Sequence, residues 1–158
     1  MHKPSFVLTV LLSAACVLAG LSVSAFAAAG AGAGAILAGQ GAAVKKEKLV
    51  IQISDKDPGK WNLALNNARN VQAALGADKV DIEIVAYGPG VAMLEMDSEA
   101  GNGVAKAIEN GVKIIACQNS MKGAKLTDAD MLPGIGYAVS GVVEIMQRQQ
   151  AGYSYVRP

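Results

Sequence analysis

The distribution of apolar and polar positions divides the chain into two unlike parts. Apart from His2 and Lys3, residues 1–44 carry no basic or acidic side chain and are mostly apolar or glycine. Residues 45–158 instead alternate short apolar runs with segments whose apolar residues recur every three or four positions. That alternation predicts a folded domain of strands and helices, whereas the first part needs a separate explanation.

Four segments have the composition of β-strands: residues 49–54, 80–87, 112–117 and 153–156. The first three are rich in β-branched residues and are expected to be buried strands. In the second of them, Asp81 and Glu83 alternate with apolar residues. This alternation predicts that one face of the sheet is wetter than the other.

The segment after the first strand has the spacing of an amphipathic helix. Asp57 predicts an N-cap, with Pro58 as the first helical residue, and Gly76 predicts the helix end. The predicted buried face consists of Trp61, Ala64, Leu65, Ala68, Val71 and Leu75.

Capping residues predict three further helices. They follow Asp97 or Ser98, Thr127, and Ser140. They end at Asn110-Gly111, at Met131 before Pro133, and at Gly152. The last of these helices is expected to bury one side, formed by Val142, Ile145, Met146 and Gln149. Between strand 80–87 and the next helix, Gly88-Pro89-Gly90 predicts a loop.

Strands that alternate with helices imply right-handed crossovers and a mainly parallel sheet. We therefore expect residues 46–158 to form a single compact α/β domain with helices flanking that sheet. In such sheets, ligand and chemical sites lie beyond the carboxyl ends of the strands.

The apolar first part has the composition of a secretory signal. A positive start at His2 and Lys3 precedes an uncharged apolar run and the small residues Ala25-Phe26-Ala27. This order is typical of a signal peptide, residues 1–27, cleaved after Ala27. Residues 28–45, almost all Ala and Gly, are expected to form a linker. Export, most simply to a periplasm, is the expected destination, with no membrane attachment after cleavage. The alternatives are an uncleaved membrane anchor and lipidation of Cys16.

Charge and cysteine content narrow the function classes. The 14 basic and 13 acidic residues give a net charge of +1, which argues against nucleic acid as a partner. Cleavage after Ala27 would remove His2 and Cys16 and leave Cys117 as the single cysteine. An internal disulfide would then be impossible, and a cysteine that remains unpaired in an oxidising compartment suggests a partner or a reactive role.

Cys117 is the candidate catalytic residue because it ends the third predicted strand, at the edge where such folds place their sites. If a turn or helix begins at Asn119, backbone N–H groups near Asn119 and Ser120 would favour the thiolate, and Lys122 could add to this effect. The competing interpretation is that Cys117 is a small apolar core residue, since cysteine is among the most buried residue types.

Other chemistries find less support in the sequence. A cysteine protease needs a base, usually histidine, and zinc needs several Cys or His ligands. No cofactor or metal is therefore expected. A soft Cu(I) site would have to use Cys117 and Met121 with Met93, Met96 or Met131. Asp55 and Asp57 could form a polar site, although capping explains Asp57 more simply.

Several separate segments resemble the DsrE/DsrF-like family. They are residues 50–55, 61–67, 84–90, 115–121, 132–134 and 140–144, and together they span most of residues 46–158. The resemblance implies a compact α/β fold with a parallel sheet of about five strands. It also implies homo-oligomers, often trimers or hexamers, and, in the sulfur-relay members, a cysteine that carries persulfide sulfur. Only Cys117 corresponds to such a residue here.

These observations lead to two functional hypotheses. In the first, an exported sulfur-handling protein, a sulfurtransferase or sulfur carrier, accepts persulfide sulfur on Cys117 from a small donor and passes it to a partner thiol protein. In the second, the protein is a non-catalytic oligomeric binding module, and Cys117 is a core residue.

Overall fold

The computed structural model describes residues 45–158. The predicted signal peptide and the linker, except for Lys45, lie outside the described residues. Within the described part, no helix is both long enough and apolar enough to cross a membrane. The strands are β1 (Glu47–Ile53), β2 (Val80–Ala86), β3 (Lys113–Cys117), β4 (Gly136–Ala138) and β5 (Ser154–Val156). The α-helices are α1 (Pro58–Leu75), α2 (Gly101–Glu109), α3 (Gln118–Ala124) and α4 (Gly141–Gln150).

The five strands form one sheet in the order β4-β3-β2-β1-β5. Every neighbouring pair is parallel, which confirms the predicted α/β fold. Strand β4 was not predicted, because its three residues, Gly-Tyr-Ala, contain no apolar run. Its pairing with β3 rather than its own composition makes it a strand.

The strand order determines which face of the sheet each helix covers. From β1 to β4 each crossover steps in the same direction across the sheet, whereas the connection from β4 to β5 runs back across it. Because such crossovers are right-handed, α1, α2 and α3 lie on one face and α4 lies on the other. We call these the three-helix face and the single-helix face.

The two faces bury very different amounts of apolar surface. The larger apolar cluster lies on the three-helix face and includes Ile51, Ile82, Ile84, Leu94, Val104 and Ile114. The smaller cluster lies under α4 and has four buried members, Val50, Val85, Ile145 and Tyr153. Alternation along β1 and β2 explains this division, since successive side chains point to opposite faces.

Helix α1 begins as its sequence predicts. Asp57 accepts hydrogen bonds from the N–H groups of Gly59 at 2.8 Å and Lys60 at 3.4 Å. Trp61, Ala64 and Ala68 are buried. Leu75 lies at the C-terminal end of α1 and is exposed, so the predicted buried face is too long by one turn.

Two local predictions, at residues 88–90 and after Thr127, need correction. Gly88-Pro89-Gly90 begins a 3₁₀ helix, Gly88–Leu94, rather than a simple loop. A Cβ at Gly90 would lie only 2.5 Å from the carbonyl oxygen of Ile53, so glycine is required where this helix passes the end of β1. The helix predicted after Thr127 is only a short 3₁₀ turn, Asp128–Asp130.

The predicted buried side of α4 is confirmed for Ile145 and wrong for Val142, Met146 and Gln149, which are exposed. Gly141 and Ile145 face the sheet, whereas Val142, Val143 and Met146 are exposed. The helix carries two apolar stripes, and spacing along the sequence cannot tell which of them meets the sheet. The close approach of Gly141 and the placement of Arg148 decide this orientation.

Candidate functional site

Cys117 lies at the point where the sheet reverses its winding. It ends β3, and its neighbour across the sheet is Ala138 of β4. The helix that follows β3 covers the three-helix face, whereas the helix that follows β4 covers the single-helix face. The two chain segments therefore separate at Cys117, and in open α/β sheets this reversal point is where binding crevices form.

Polar groups from three segments surround the Cys117 sulfur. The thiol donates to the carbonyl oxygen of Val139 at an S···O distance of 3.9 Å. Ser120, in the first turn of α3, accepts a 2.6 Å hydrogen bond from the N–H of Gly88 through its Oγ. This bond fixes the Ser120 side chain, and its own hydroxyl hydrogen is left to donate to the sulfur.

Gly141 brings the start of α4 against Cys117. A Cβ at Gly141 would lie 3.2 Å from the Cβ of Cys117 and 2.8 Å from the Cβ of Tyr87. Contacts of that length are too close for any larger residue without a shift of the backbone. Glycine at this position therefore allows the start of α4 to lie directly against Cys117.

These donors change the acidity of the thiol. Burial acts to raise the pKa of Cys117, but the Ser120 hydroxyl and the N–H groups of Gly141, Ser120 and Asn119 outweigh it and hold the pKa below its ordinary value. Hydrogen bonds to a thiolate favour the charged form, and the thiolate is the nucleophilic form. The arrangement thus favours a thiolate at a lower pH than a free cysteine would.

The burial of Cys117 differs from that of the core residues. The residue is only 4% exposed, as the core interpretation expects. However, it belongs to neither apolar cluster, and its thiol donates to the carbonyl oxygen of Val139. The environment is that of a covered polar group more than that of a packed apolar side chain.

The three supporting residues occupy different positions around Cys117. Ser120 contributes both its hydroxyl and its N–H. Asn119 contributes only its backbone N–H, which also donates to Val139 O at 3.2 Å, and its side chain is exposed. Lys122 is exposed in the last turn of α3, and within residues 45–158 it forms no ion pair.

The residues considered for a copper site lie apart. Met93, Met121 and Met131 belong to the apolar cluster of the three-helix face, whereas Met96 is exposed. No group of three or more His, Cys, Asp or Glu side chains in residues 45–158 is arranged to hold a metal ion. Packing therefore explains Met93, Met121 and Met131.

Asp55 and Asp57 do not form a shared polar site. Asp57 caps α1, and Asp55 forms ion pairs with Lys60 at 3.0 Å and Arg157 at 3.3 Å. Hydrogen bonds from these two cations lower the pKa of Asp55. Both carboxylates thus have local structural partners.

Sequence reasoning missed three contributors to the site, namely Gly88, Val139 and Gly141. Each acts through its backbone, so its side chain carries no chemical signal. The nearest indication in the sequence is the glycine itself at positions 88 and 141, which marks a tight turn or a close approach.

A comparison with protein families shows to which family the chain is related. The profile of the DsrE/DsrF-like family matches residues 47–158, which include the whole sheet and every helix described above. The chain belongs to the DsrE/DsrF-like family. This family is associated with sulfur relay. A search of curated proteins finds no match to the chain.

Solved structures agree with this membership. A protein of unknown function, MTH1491 from Methanobacterium thermoautotrophicum, is 35% identical and has a TM-score of 0.68, with 72% of this chain and 100% of that chain covered. Two more distant structures share the fold. BT1422 from Bacteroides thetaiotaomicron, described as a conserved protein of unknown function, is 16% identical with a TM-score of 0.59, covering 71% and 95% of the two chains. The ychN protein from E. coli is 12% identical with a TM-score of 0.55, covering 72% and 99%.

Proposed function

We propose that this protein is an exported sulfur carrier that accepts sulfane sulfur on Cys117 and passes it to a partner thiol. The observation that carries the proposal is the position of Cys117, which lies at the reversal point of the sheet, outside both apolar clusters and directly against Gly141 at the start of α4. Ser120 Oγ and the N–H groups of Gly141, Ser120 and Asn119 lower the pKa of this thiol. A core cysteine needs no such donors, whereas a thiolate or a persulfide anion does.

The chemistry requires no oxidant and no cofactor. The Cys117 thiolate attacks the outer sulfur of a donor persulfide, the S–S bond of the donor breaks, and the donor leaves as its thiolate. Cys117 then carries the persulfide. A partner thiolate attacks the outer sulfur in the same way, takes it as its own persulfide and releases the Cys117 thiolate, so that sulfur oxidation states balance in both steps.

Access to the sulfur passes through a region next to α4. A cavity of about 310 Å³ is lined by Ala138, Val139, Ser140, Val143, Glu144 and Gln147. Ala138 is the strand neighbour of Cys117 and Val139 accepts its thiol hydrogen bond, so the cavity adjoins the site. Since Cys117 itself is 4% exposed, a donor that enters this cavity reaches the sulfur only when α4 or the Val139 segment moves.

Export and self-association complete the proposal. The signal-like composition of residues 1–27 supports export. On the outer side of α4, Val142 and Met146 lie one turn apart and are 59% and 50% exposed. A solvent-exposed apolar stripe of this kind is typical of an interface. We propose that a second copy of the chain covers it in a homo-oligomer, such as the trimer or hexamer expected from the family resemblance.

The test is the mass of the purified exported protein before and after exposure to polysulfide. We expect a gain of one or more sulfur atoms that a reductant reverses. Cys117→Ser should abolish the gain, and Ser120→Ala should slow it by removing one donor. Lys122→Ala, which alters an exposed cation on the same helix, is the matched control and should load sulfur like the parent.

The same experiment can reject the proposal. If Cys117→Ser gains sulfur as the parent does, Cys117 is not the acceptor. If the parent gains none and Cys117 reacts only after unfolding, the protein is the alternative, a non-catalytic oligomeric binding module with Cys117 as a structural residue. The mass before treatment also reports whether cleavage follows Ala27 and whether Cys16 bears a lipid.

A further inference from the structure

A buried carboxylate lies under α4 without complete hydrogen bonding. Glu83, in the middle of β2, is 0% exposed. Arg148 of α4 lies with its Nε 3.0 Å from Oε1, to which it donates, and 2.9 Å from Oε2. Only Oε1 is aligned with that N–H bond, so Oε2 has no hydrogen-bond partner within residues 45–158. The proposed sulfur chemistry does not use this carboxylate, and its burial needs another explanation.

The cationic partner of Glu83 is held in place by several contacts. Arg148 also pairs with Glu144, one turn earlier on α4, at 2.6 Å. Its guanidinium lies 5.6 Å from the ring centroid of Tyr153. Glu83 is 65 residues away from Arg148 in the chain, so this ion pair connects α4 to the centre of the sheet.

The same helix contacts Cys117 at its other end. Gly141 and Arg148 are seven residues apart, which places them two turns apart on one helix face. That face meets the sheet at three points: Gly141 against Cys117, Ile145 in the small apolar cluster, and Arg148 against Glu83. The apolar contribution is small because the other apolar stripe of α4 faces outward.

We infer that Glu83 and Arg148 are positioning residues for Cys117, which act through α4 by holding Gly141 over the sulfur. While the ion pair is intact, Gly141 at the start of α4 stays packed against Cys117 and keeps its N–H near the sulfur. When Arg148 releases Glu83, the start of α4 moves away from the sulfur, and a donor or partner thiol gains access. This inference deepens the proposed function, on which it rests, by naming the element that controls entry to the site.

Alkylation of Cys117 by iodoacetamide tests the inference without any sulfur transfer. Labelling is followed by mass spectrometry of the peptide that contains Cys117, and thiolate formation by ultraviolet absorbance across pH. Arg148→Met should speed labelling by about tenfold or more, because loss of one partner of a buried pair weakens the attachment of α4. Thiolate formation should shift to higher pH, since Gly141 no longer donates to the sulfur.

Two further variants separate positioning from general destabilisation. Glu144→Gln removes the outer partner of Arg148 but keeps the Glu83 pair, so it should match the parent in both measurements. Arg148→Lys keeps the positive charge and should restore much of the parent behaviour. The faster labelling of Arg148→Met should also be insensitive to urea concentrations below the unfolding transition, as local opening is.

A folded Arg148→Met protein with the parent labelling rate and the parent thiol titration would overturn the inference. So would a Glu144→Gln protein that behaves like Arg148→Met. If Arg148→Met does not fold, Arg148→Lys and Glu83→Gln are judged by the same two measurements. A protein that shows the labelling effects but loads no sulfur would keep the role of the ion pair and reject the carrier function, so the two failures are distinguishable.

Discussion

The two faces of the sheet bury different kinds of side chains. The three-helix face buries a continuous apolar cluster between the strands and α1, α2 and the 3₁₀ helix Gly88–Leu94. The single-helix face combines four buried apolar residues with a network of ionisable groups. That network contains Lys48, Asp81, Glu83, Lys113, Arg148 and Tyr153. Cys117 lies at the edge of this second face, next to Ala138 of the edge strand β4.

The two faces therefore contribute differently: one mainly stabilises the fold, and the other holds ionisable groups with perturbed pKa values. Apolar burial supplies most of the driving force for folding, and the three-helix face has most of it. The single-helix face instead contains groups with perturbed pKa values. Burial and a hydrogen bond to Asp81 raise the pKa of Tyr153 to about 12, and burial raises the pKa of Glu83. The inferred movement of α4 requires that this face release its one helix without unfolding the domain.

The largest expected effect is on the free energy of unfolding, and it is seen by comparing one isoleucine from each face of the sheet. Ile51 is completely buried on the three-helix face, and Ile145 attaches α4 to the other. Ile51→Ala should lower the free energy of unfolding by about 4 kcal/mol, whereas Ile145→Ala should cost about 2 kcal/mol because it lies near the surface. Urea denaturation measures both. Equal losses would show that the two faces contribute equally to stability.

The next largest expected effect is the loss of stability when Arg148 is replaced, and this loss depends on pH. Glu83 has a raised pKa in the folded protein, so stability falls as pH rises above 4.5 and this carboxyl must ionise while buried. Arg148 opposes that cost by favouring the charged form. Arg148→Met should therefore destabilise the fold by about 3 kcal/mol at pH 7, because it leaves a buried carboxylate unpaired.

That loss should shrink as pH falls towards 5, where Glu83 can take up a proton instead of remaining charged. Urea denaturation at several pH values follows the change. Glu83→Gln is the matched control and should remove most of this pH dependence. A loss from Arg148→Met that is the same at pH 5 and pH 7 would contradict the assignment of Glu83 as its cause.

A pair of glycines provides a finer comparison of the two faces. A Cβ at Gly141 meets the Cβ atoms of Tyr87 and Cys117, whereas at Gly103 of α2 it meets the flexible end of Leu65 at 2.8 Å. Gly141→Ala should cost about 2 kcal/mol through overpacking and raise the pKa of Cys117. Gly103→Ala should be within about 1 kcal/mol of the parent, since alanine favours the helix and Leu65 can move.

Thermal denaturation and the thiol titration report the two effects separately. The comparison fails if Gly103→Ala is the more damaging change, or if Gly141→Ala leaves the titration of Cys117 unaltered. In the second case the Gly141 N–H would not be a significant donor to the sulfur.

The smallest effect on stability is expected for substitutions of the exposed apolar residues of α4. Val142→Ser and Met146→Gln replace exposed side chains and should change the stability of a single subunit by about 0.5 kcal/mol or less. In the proposed oligomer the same variants should lower the mass observed by light scattering. Leu63→Gln, an exposed position on α1, is the control and should leave the assembly unchanged.

Local sequence patterns were sufficient for most of the fold. The apolar runs located β1, β2, β3 and β5, and the Asp57-Pro58 cap located the start of α1. They also placed Cys117 at the end of β3, and Ser120 close behind it. These features depend on residues within a few positions of one another, so composition and periodicity reveal them.

The remaining features depend on contacts between distant segments, and only the tertiary structure decided them. Strand β4 exists because β3 is available for pairing. Helix α4 turns Val142 and Met146 outward because Gly141 fits against Tyr87 and Cys117. The pairing of Glu83 with Arg148 joins two elements 65 residues apart. Periodicity identifies an apolar stripe or a polar position, but it carries no information about which distant residue lies opposite. In this protein the sequence by itself determined where the cysteine lies in the fold, and the packing of α4 decided its chemical surroundings.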